Sequence, residues 1–412
     1  MKFDKYPISE TIKENLRLMG FFRPTDIQYK SIPSILKGED VLAIAQTGTG
    51  KTAAFAIPVI ARIHGAKLSK RSPGISCLIM VPTRELAMQI GDVCEKLARH
   101  TRVKVFALYG GVEQDRQVKK LQDGIDILVA TPGRMFDLIS QGCLRLNGVD
   151  TLILDEADRM LDLGFIKDIN QIKKKLVRKH QTLFFSATID KQIKKLAFSQ
   201  VNSSAIRIQI SPDDRVSRNV SHGVMLVEMD DKRFFLERLI NEHPDDKMIV
   251  FVRTKVRAER VEKAMARVGI ETVTIHGDKD QTERSQGMAA FRKGTSRILI
   301  ATDVSARGID IPDITMVINY DLPVDPEYYV HRVGRTGRGM NKGRAISFCS
   351  KEEKESLEAI EGFLGKPIER LAVTKREYAE TLEYASGKDD VMALIHAHED
   401  WKKKKGKAKK RK

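Results

Sequence analysis

Thirteen short apolar runs, each four to seven residues long and separated by longer amphipathic stretches, set the fold this chain can adopt. In the first half they are Val41–Ala45, Cys77–Val81, Val103–Tyr109, Ile125–Ala130, Thr151–Leu154, Thr182–Phe185 and Ile206–Ile210. In the second half they are Val224–Val227, Met248–Val252, Thr272–Ile275, Ile298–Ala301, Met316–Asn319 and Ala345–Phe348. A strand with one wet face alternates apolar and polar residues. These runs do not, so both faces must be covered, which is the mark of a parallel sheet with helices on each side. The alternation pauses at Ser211-Pro-Asp-Asp-Arg-Val-Ser217, a polar stretch that reads as a linker. The expected architecture is two α/β domains, 1–210 and 218–368, joined by 211–217 and followed by a charged tail, 369–412.

Charge is unevenly placed. The chain carries +17, and Trp401–Lys412 holds nine of those charges with no acid. Such a block cannot bury itself. It suits a polyanion through counterion release, or serves only as a solubiliser. No run of eighteen apolar residues is present, so no transmembrane helix is expected. The N-terminus lacks the apolar run of a secretory signal. Cys77, Cys94, Cys143 and Cys349 fit no metal or redox spacing; buried, inert thiols in a reducing, cytoplasmic setting are expected.

Two motifs carry the first chemistry. Ala45-Gln46-Thr47-Gly48-Thr49-Gly50-Lys51-Thr52 lies between an apolar run and a helix-prone run, Ala53–Ile63, the context a phosphate-binding loop requires. Gly48 and Gly50 let backbone amides approach phosphates. Lys51 neutralises the β and γ groups, Thr52 can ligate magnesium, and the helix N-terminus adds positive potential. Asp155-Glu156-Ala157-Asp158 follows Thr151–Leu154, at a strand's carboxyl end where open α/β sheets bind ligands. Asp155 would hold Mg2+ through its water shell, and Glu156 would position and deprotonate the attacking water. Alone, the acidic turn could be a helix cap; paired with the glycine loop it indicates binding and hydrolysis of a nucleoside triphosphate. Upstream, Gln28 has the donors and acceptor to read an adenine edge, or to cap a helix.

In this order the motifs resemble those of the DEAD-box RNA helicases, built on two RecA-like domains, and the resemblance spans about 1–368. It implies ATP and Mg2+ as cofactors, RNA as partner, and hydrolysis coupled to local separation of short duplexes or remodelling of RNA–protein complexes. Gly20–Gln28 is similar to the Q motif, with Asp26 where the family often has proline and Phe3 as the aromatic expected to stack on adenine. Ala45 replaces the usual first glycine of the phosphate loop, as is usual in the family. Pro82-Thr83-Arg84, Gly110-Gly111 and Thr131-Pro132-Gly133-Arg134 correspond to elements that grip the RNA backbone. The resemblance implies that Ser186-Ala-Thr188 couples the acidic motif, with Asp158, to strand separation; read from its residues alone it could equally cap the next helix.

In the second half the resemblance assigns Arg284, Thr302 and Arg307 to RNA and Asp310 to the ATP ribose. Within His331-Arg-Val-Gly-Arg-Thr-Gly-Arg338, Arg335 and Arg338 correspond to arginine fingers for the γ-phosphate, and His331 and Arg332 to a tie towards the acidic motif. Paired RNA hides its bases, so backbone and 2′-OH contacts and little sequence specificity are implied. Two rivals use the same parts: a DNA translocase of the same superfamily, and an ATP-gated clamp for ribonucleoprotein assembly. The short tail further resembles compact bacterial helicases of the RhlE type. A cytoplasmic monomer is expected, with ribosomal or RNA-decay proteins as partner classes.

Overall fold

The computed structural model describes residues 2–45, 48–69, 74–189, 191–210, 216–217, 219–279, 281–306, 313–337 and 341–383. The expected linker residues 211–215 and the basic block 401–412 lie outside these ranges. The chain divides into two compact units near residue 213.

The first unit is a seven-stranded sheet of β1 Val41–Ala45, β2 Cys77–Met80, β3 Val105–Leu108, β4 Ile127–Ala130, β5 Thr151–Leu154, β6 Gln181–Ser186 and β7 Ile206–Ile210, in the order β3-β4-β2-β5-β6-β1-β7. Every pairing is parallel. The apolar runs are apolar because both faces are covered. Val41, Ala43, Ile79, Ile153, Leu183 and Phe185 point into one core, and Leu42, Leu78, Met80, Leu152, Leu154 and Phe184 into the other. Phe55 and Phe185 meet edge-to-face with centroids 5.2 Å apart, fixing the helix Lys51–Ser69 against the sheet.

The second unit repeats the design with β8 Val220–Leu226, β9 Met248–Val252, β10 Val273–Ile275, β11 Ile298–Thr302, β12 Met316–Asn319, β13 Gly343–Cys349 and β14 Glu369–Arg370, in the order β10-β11-β9-β12-β13-β8-β14, again all parallel. The expected start of the tail at 369 is corrected. Strand β14 pairs with β8, Leu371, Val373 and Tyr378 pack on the core, and the Tyr378 hydroxyl donates to Asp231 at 2.7 Å. Packed structure therefore continues to residue 383.

Cys77, Cys94 and Cys349 are buried and Cys143 is exposed; burial pushes the Cys94 thiol up to about 12, the behaviour of an inert core residue. No helix among the described residues is long and apolar enough to cross a membrane.

Candidate nucleotide and RNA site

Because every strand is parallel, the loops that leave them share one edge of each sheet. Reading across the first sheet, the sequence motifs are sorted. Strands β3, β4 and β2 lead to Gly110-Gly111, Thr131–Arg134 and Pro82–Arg84, while β5, β6 and β1 lead to Asp155–Asp158, Ser186–Thr188 and the glycine loop. The candidate RNA loops occupy one half of the edge and the candidate nucleotide loops the other, with the acidic motif at the seam.

At the nucleotide half, Gly48 and Gly50 have φ of +82° and +91°, where an L side chain is strained. A Cβ on Gly50 would also collide with the Gln28 amide. Gln28 is itself pinned: its Nε2 donates to Gly50 O at 3.1 Å, and its Oε1 accepts from Thr25 N–H at 3.0 Å in a capping box. The Thr25 hydroxyl donates to Thr49 O at 2.7 Å. Gln28 thus caps its own helix and braces the loop, which leaves one Nε2 hydrogen and one Oε1 lone pair for a base.

Lys51 is 7% exposed, and its Nζ has no hydrogen-bond partner among the described residues. A buried, unpartnered ammonium is costly unless an anion completes it. The nearby charge is Asp155, itself 3% exposed. Burial pushes the Asp155 carboxyl up to about 6 against the opposing pull of Lys51. An orphaned cation, a carboxylate that resists ionisation and a backbone cradle that excludes side chains fit a magnesium–triphosphate, whose charges would settle both groups. Thr52 follows at a half-buried position. Gln46 and Thr47 lie outside the described residues.

Glu156 stands in a left-handed conformation, φ +51° and ψ +49°, rare for a non-glycine residue and worth roughly 1–3 kcal/mol of strain. Its carboxylate pairs with Arg159 Nη1 at 3.3 Å, and its N–H donates to Asp155 Oδ1 at 2.9 Å. Arg159 bears no motif signal in the sequence, although its i, i+3 spacing from Glu156 is the usual one for a helical pair. Asp158 accepts from Ala187 N–H at 3.1 Å, Thr188 N–H at 3.2 Å and the Thr188 hydroxyl at 3.4 Å. This carboxylate ties the ends of β5 and β6 together. Ser186 Oγ is buried with no hydrogen-bond partner among the described residues.

Two expectations are corrected. Phe3 is 4% exposed inside the first core, with its ring 6.1 Å from Tyr6, so it cannot stack on a base. Arg134 is spoken for: Nη1 donates to Gln117 Oε1 at 2.6 Å and Nη2 to Val112 O at 3.2 Å. It holds the Gly110-Gly111 loop in place before it can touch phosphate.

The other RNA-half residues stay at the edge. Thr83 caps the helix Arg84–Leu97 by accepting Leu86 N–H, and Thr131 precedes the helix Pro132–Ser140 with Pro132 at its first position. Arg84 lies 5.7 Å from the Tyr109 ring centroid. The same guanidinium fills the space a side chain on Gly111 (φ +73°) would need. Beside Gly133 that space is open.

In the second unit, Thr302 Oγ1 lies 2.9 Å from Ser305 Oγ, which donates to Ile275 O at 2.7 Å and so joins the ends of β11 and β10. Arg284 is half-buried on the helix Gln281–Lys293. Arg332, expected as a tie towards the acidic motif, is bonded within its own unit. At 1% exposure it grips Asp303 with two bonds of 2.6 and 2.7 Å, donates to Asp321 O at 2.7 Å and Asn319 Oδ1 at 3.2 Å, and lies 5.1 Å from the Phe251 ring centroid. Its task is to anchor the arginine-rich loop to β11 within this unit. Arg335, 7% exposed, donates to the carbonyl of His331 at 3.3 Å. Gly337 (φ +64°) is pressed against Val220. Arg307, Asp310 and Arg338 lie outside the described residues.

Comparison with known proteins gives this arrangement a context. Residues 25–196 match the DEAD/DEAH box helicase model, and 231–340 match the helicase conserved C-terminal domain. The chain is 39% identical over 369 residues to the DEAD-box ATP-dependent RNA helicase CshA of Bacillus subtilis (strain 168), covering 90% of this chain and 74% of that protein. It is 40% identical over 370 residues to the ATP-dependent RNA helicase CshA of Listeria monocytogenes, covering 90% and 70%. These relatives bear the CshA name, not that of the RhlE type. Among solved structures, S. cerevisiae Dbp5 bound to RNA and ADP BeF3 is 30% identical with a TM-score of 0.81, covering 94% of this chain and 99% of that one. Mss116p bound to ssRNA and AMP-PNP is 27% identical with a TM-score of 0.81, covering 97% and 86%. Both units are thus RecA-like in fold, and the chain belongs to the DEAD-box family of ATP-dependent RNA helicases.

Proposed function

We propose that this chain hydrolyses ATP when RNA is bound, and uses the cycle to separate short RNA duplexes locally or to remodel RNA–protein complexes. The observation that carries the proposal is Lys51, a buried ammonium with no hydrogen-bond partner among the described residues, beside the desolvated carboxylate of Asp155. In this reading Lys51 and the amides of the glycine loop hold the β and γ phosphates. Thr52 and Asp155 would hold magnesium, which supplies charge neutralisation for the transferring phosphoryl. Glu156 orients the water and takes its proton, with Arg159 fixing its carboxylate. Arg335 and Arg338 are the candidate arginine fingers, a contribution of ~10³–10⁵ in rate where present.

Pro82–Arg84, Gly111, Thr131–Gly133, Arg284, Thr302 and Arg307 are the candidate backbone contacts. Asp158, by holding Ala187 and Thr188, is the candidate link between the acidic motif and the Ser186–Thr188 loop. The RNA-bound relatives support RNA over DNA as the polymer. Replacing Glu156 by Gln tests the scheme: ATP-dependent RNA binding should persist while turnover and strand separation vanish. Retained hydrolysis would remove Glu156 from the role of base.

A further inference from the structure

We infer that the outer face of the helices Ile166–Lys175 and Lys191–Gln200 is a second RNA-binding surface, gripping phosphodiester backbone along the flank of the first unit. The inference rests on the RNA reading above. Each helix buries one side: Ile169 and Ile172 in the first, Ile193, Leu196, Ala197 and Gln200 in the second. The opposite sides carry Lys174, Lys175, Lys191, Lys194 and Lys195, all exposed, and the loop after the first helix adds exposed Arg178 and Lys179.

None of these seven cations forms an ion pair with a described residue. Lys173, between them, instead donates to Ser199 O at 2.6 Å and Gln200 O at 3.1 Å, which clamps the carboxyl ends of the two helices side by side. The acid on these two helices is Asp168, half-buried. Lys191 and Lys195 stand i, i+4 apart, a like-charge pair that weakens a helix unless a counter-charge arrives. Such crowding makes a local positive field for a polyanion.

The stripe also has a direction. The helix Lys191–Gln200 follows β6, so it starts near the edge that bears Ser186–Thr188 and runs back along the sheet for about 15 Å. Lys191 thus stands at the motif-bearing edge of the sheet, and the stripe leads away from it. At the far end Phe198 is 41% exposed and Arg207 lies 4.7 Å from its ring centroid. A guanidinium layered over an aromatic ring offers a flat cationic surface on which a base can stack, which favours nucleic acid over an acidic protein.

The test compares the full chain with a Lys174→Gln, Lys175→Gln, Lys194→Gln, Lys195→Gln variant, using a long single-stranded RNA and one of about ten nucleotides. Every phosphate that the variant no longer neutralises should lower the slope of log K against log salt by ~0.7, so two to four such phosphates lower it by ~1.4–2.8 on the long RNA. The short RNA, held by the motif loops, should bind both proteins alike, and kcat at saturating RNA should not change. Matched thermal melts establish that the variant is folded. An unchanged slope on long RNA overturns the proposal. So does a variant that loses affinity for polyglutamate while keeping its RNA slope, which would assign the face to an acidic protein. A wild-type chain whose ATP hydrolysis ignores RNA would sink the functional reading instead, and the long-RNA slope would still decide this surface.

Discussion

Replacing Asp155 by Asn should make the nucleotide-free protein more stable while abolishing its activity. The Asp155 carboxyl titrates at about 6 in the fold because burial disfavours its charge, and Lys51 only partly offsets that penalty. Its reference value is 3.8. A folded value above the unfolded one means that stability is intact below the lower pKa and is lost as pH rises through the higher one. At neutral pH the charge on Asp155 therefore costs about two pKa units, or ~3 kcal/mol at about 1.4 kcal/mol per unit. Asn cannot ionise, yet its Oδ1 can still accept the Glu156 N–H.

For a unit of this size ~3 kcal/mol corresponds to roughly 6–12 °C in Tm. Thermal melts without nucleotide or magnesium should show the variant ahead by that margin at pH 7.5. The advantage should shrink as pH falls below 6 and vanish below 3.8, where wild-type Asp155 is neutral in both states. A variant less stable than wild type at pH 7.5, or one with a pH-independent advantage, would refute the claim that Asp155 is held ready for a metal at the expense of stability.

Two further substitutions probe the supports. Asp158→Ala strands the N–H groups of Ala187 and Thr188, and should lower stability by ~1–3 kcal/mol and reduce strand separation per ATP hydrolysed. Equal unwinding per ATP in the variant would contradict the linking role. Glu353→Ala removes the carboxylate bonded to fully buried Lys232 and to the N–H groups of Leu322 and Ser350. With Asp321 still 3.7 Å from Lys232, the loss should sit near ~3 kcal/mol by denaturant melts. A loss within error would mean that water or Asp321 fully compensates.

Strands such as Val41–Ala45, Thr151–Leu154 and Met248–Val252 were legible to the residue, because continuous apolar runs have no other use in this fold. Strand β14 was not, since Glu369-Arg370 bears no apolar signal and joins the sheet only through backbone pairing with β8. The motifs were legible as chemistry, but the allegiance of their donors was not. Arg134 and Arg332 look in the sequence like any other motif arginine, and only the fold reveals that Gln117, Val112 and Asp303 hold them. Phe3 failed for the converse reason: an aromatic near a motif is as useful to the core as to a base, and here the core has it. The left-handed turn at Glu156 has no signature in residue type at all, being imposed by the junction of β5 with the helix Ala157–Asp162.

Steady-state ATP hydrolysis measured with single-stranded RNA and with DNA of the same sequence is the most direct test of the account. Strong stimulation by RNA and little by DNA is the expected result. Equal stimulation by both, or hydrolysis indifferent to either, would contradict it.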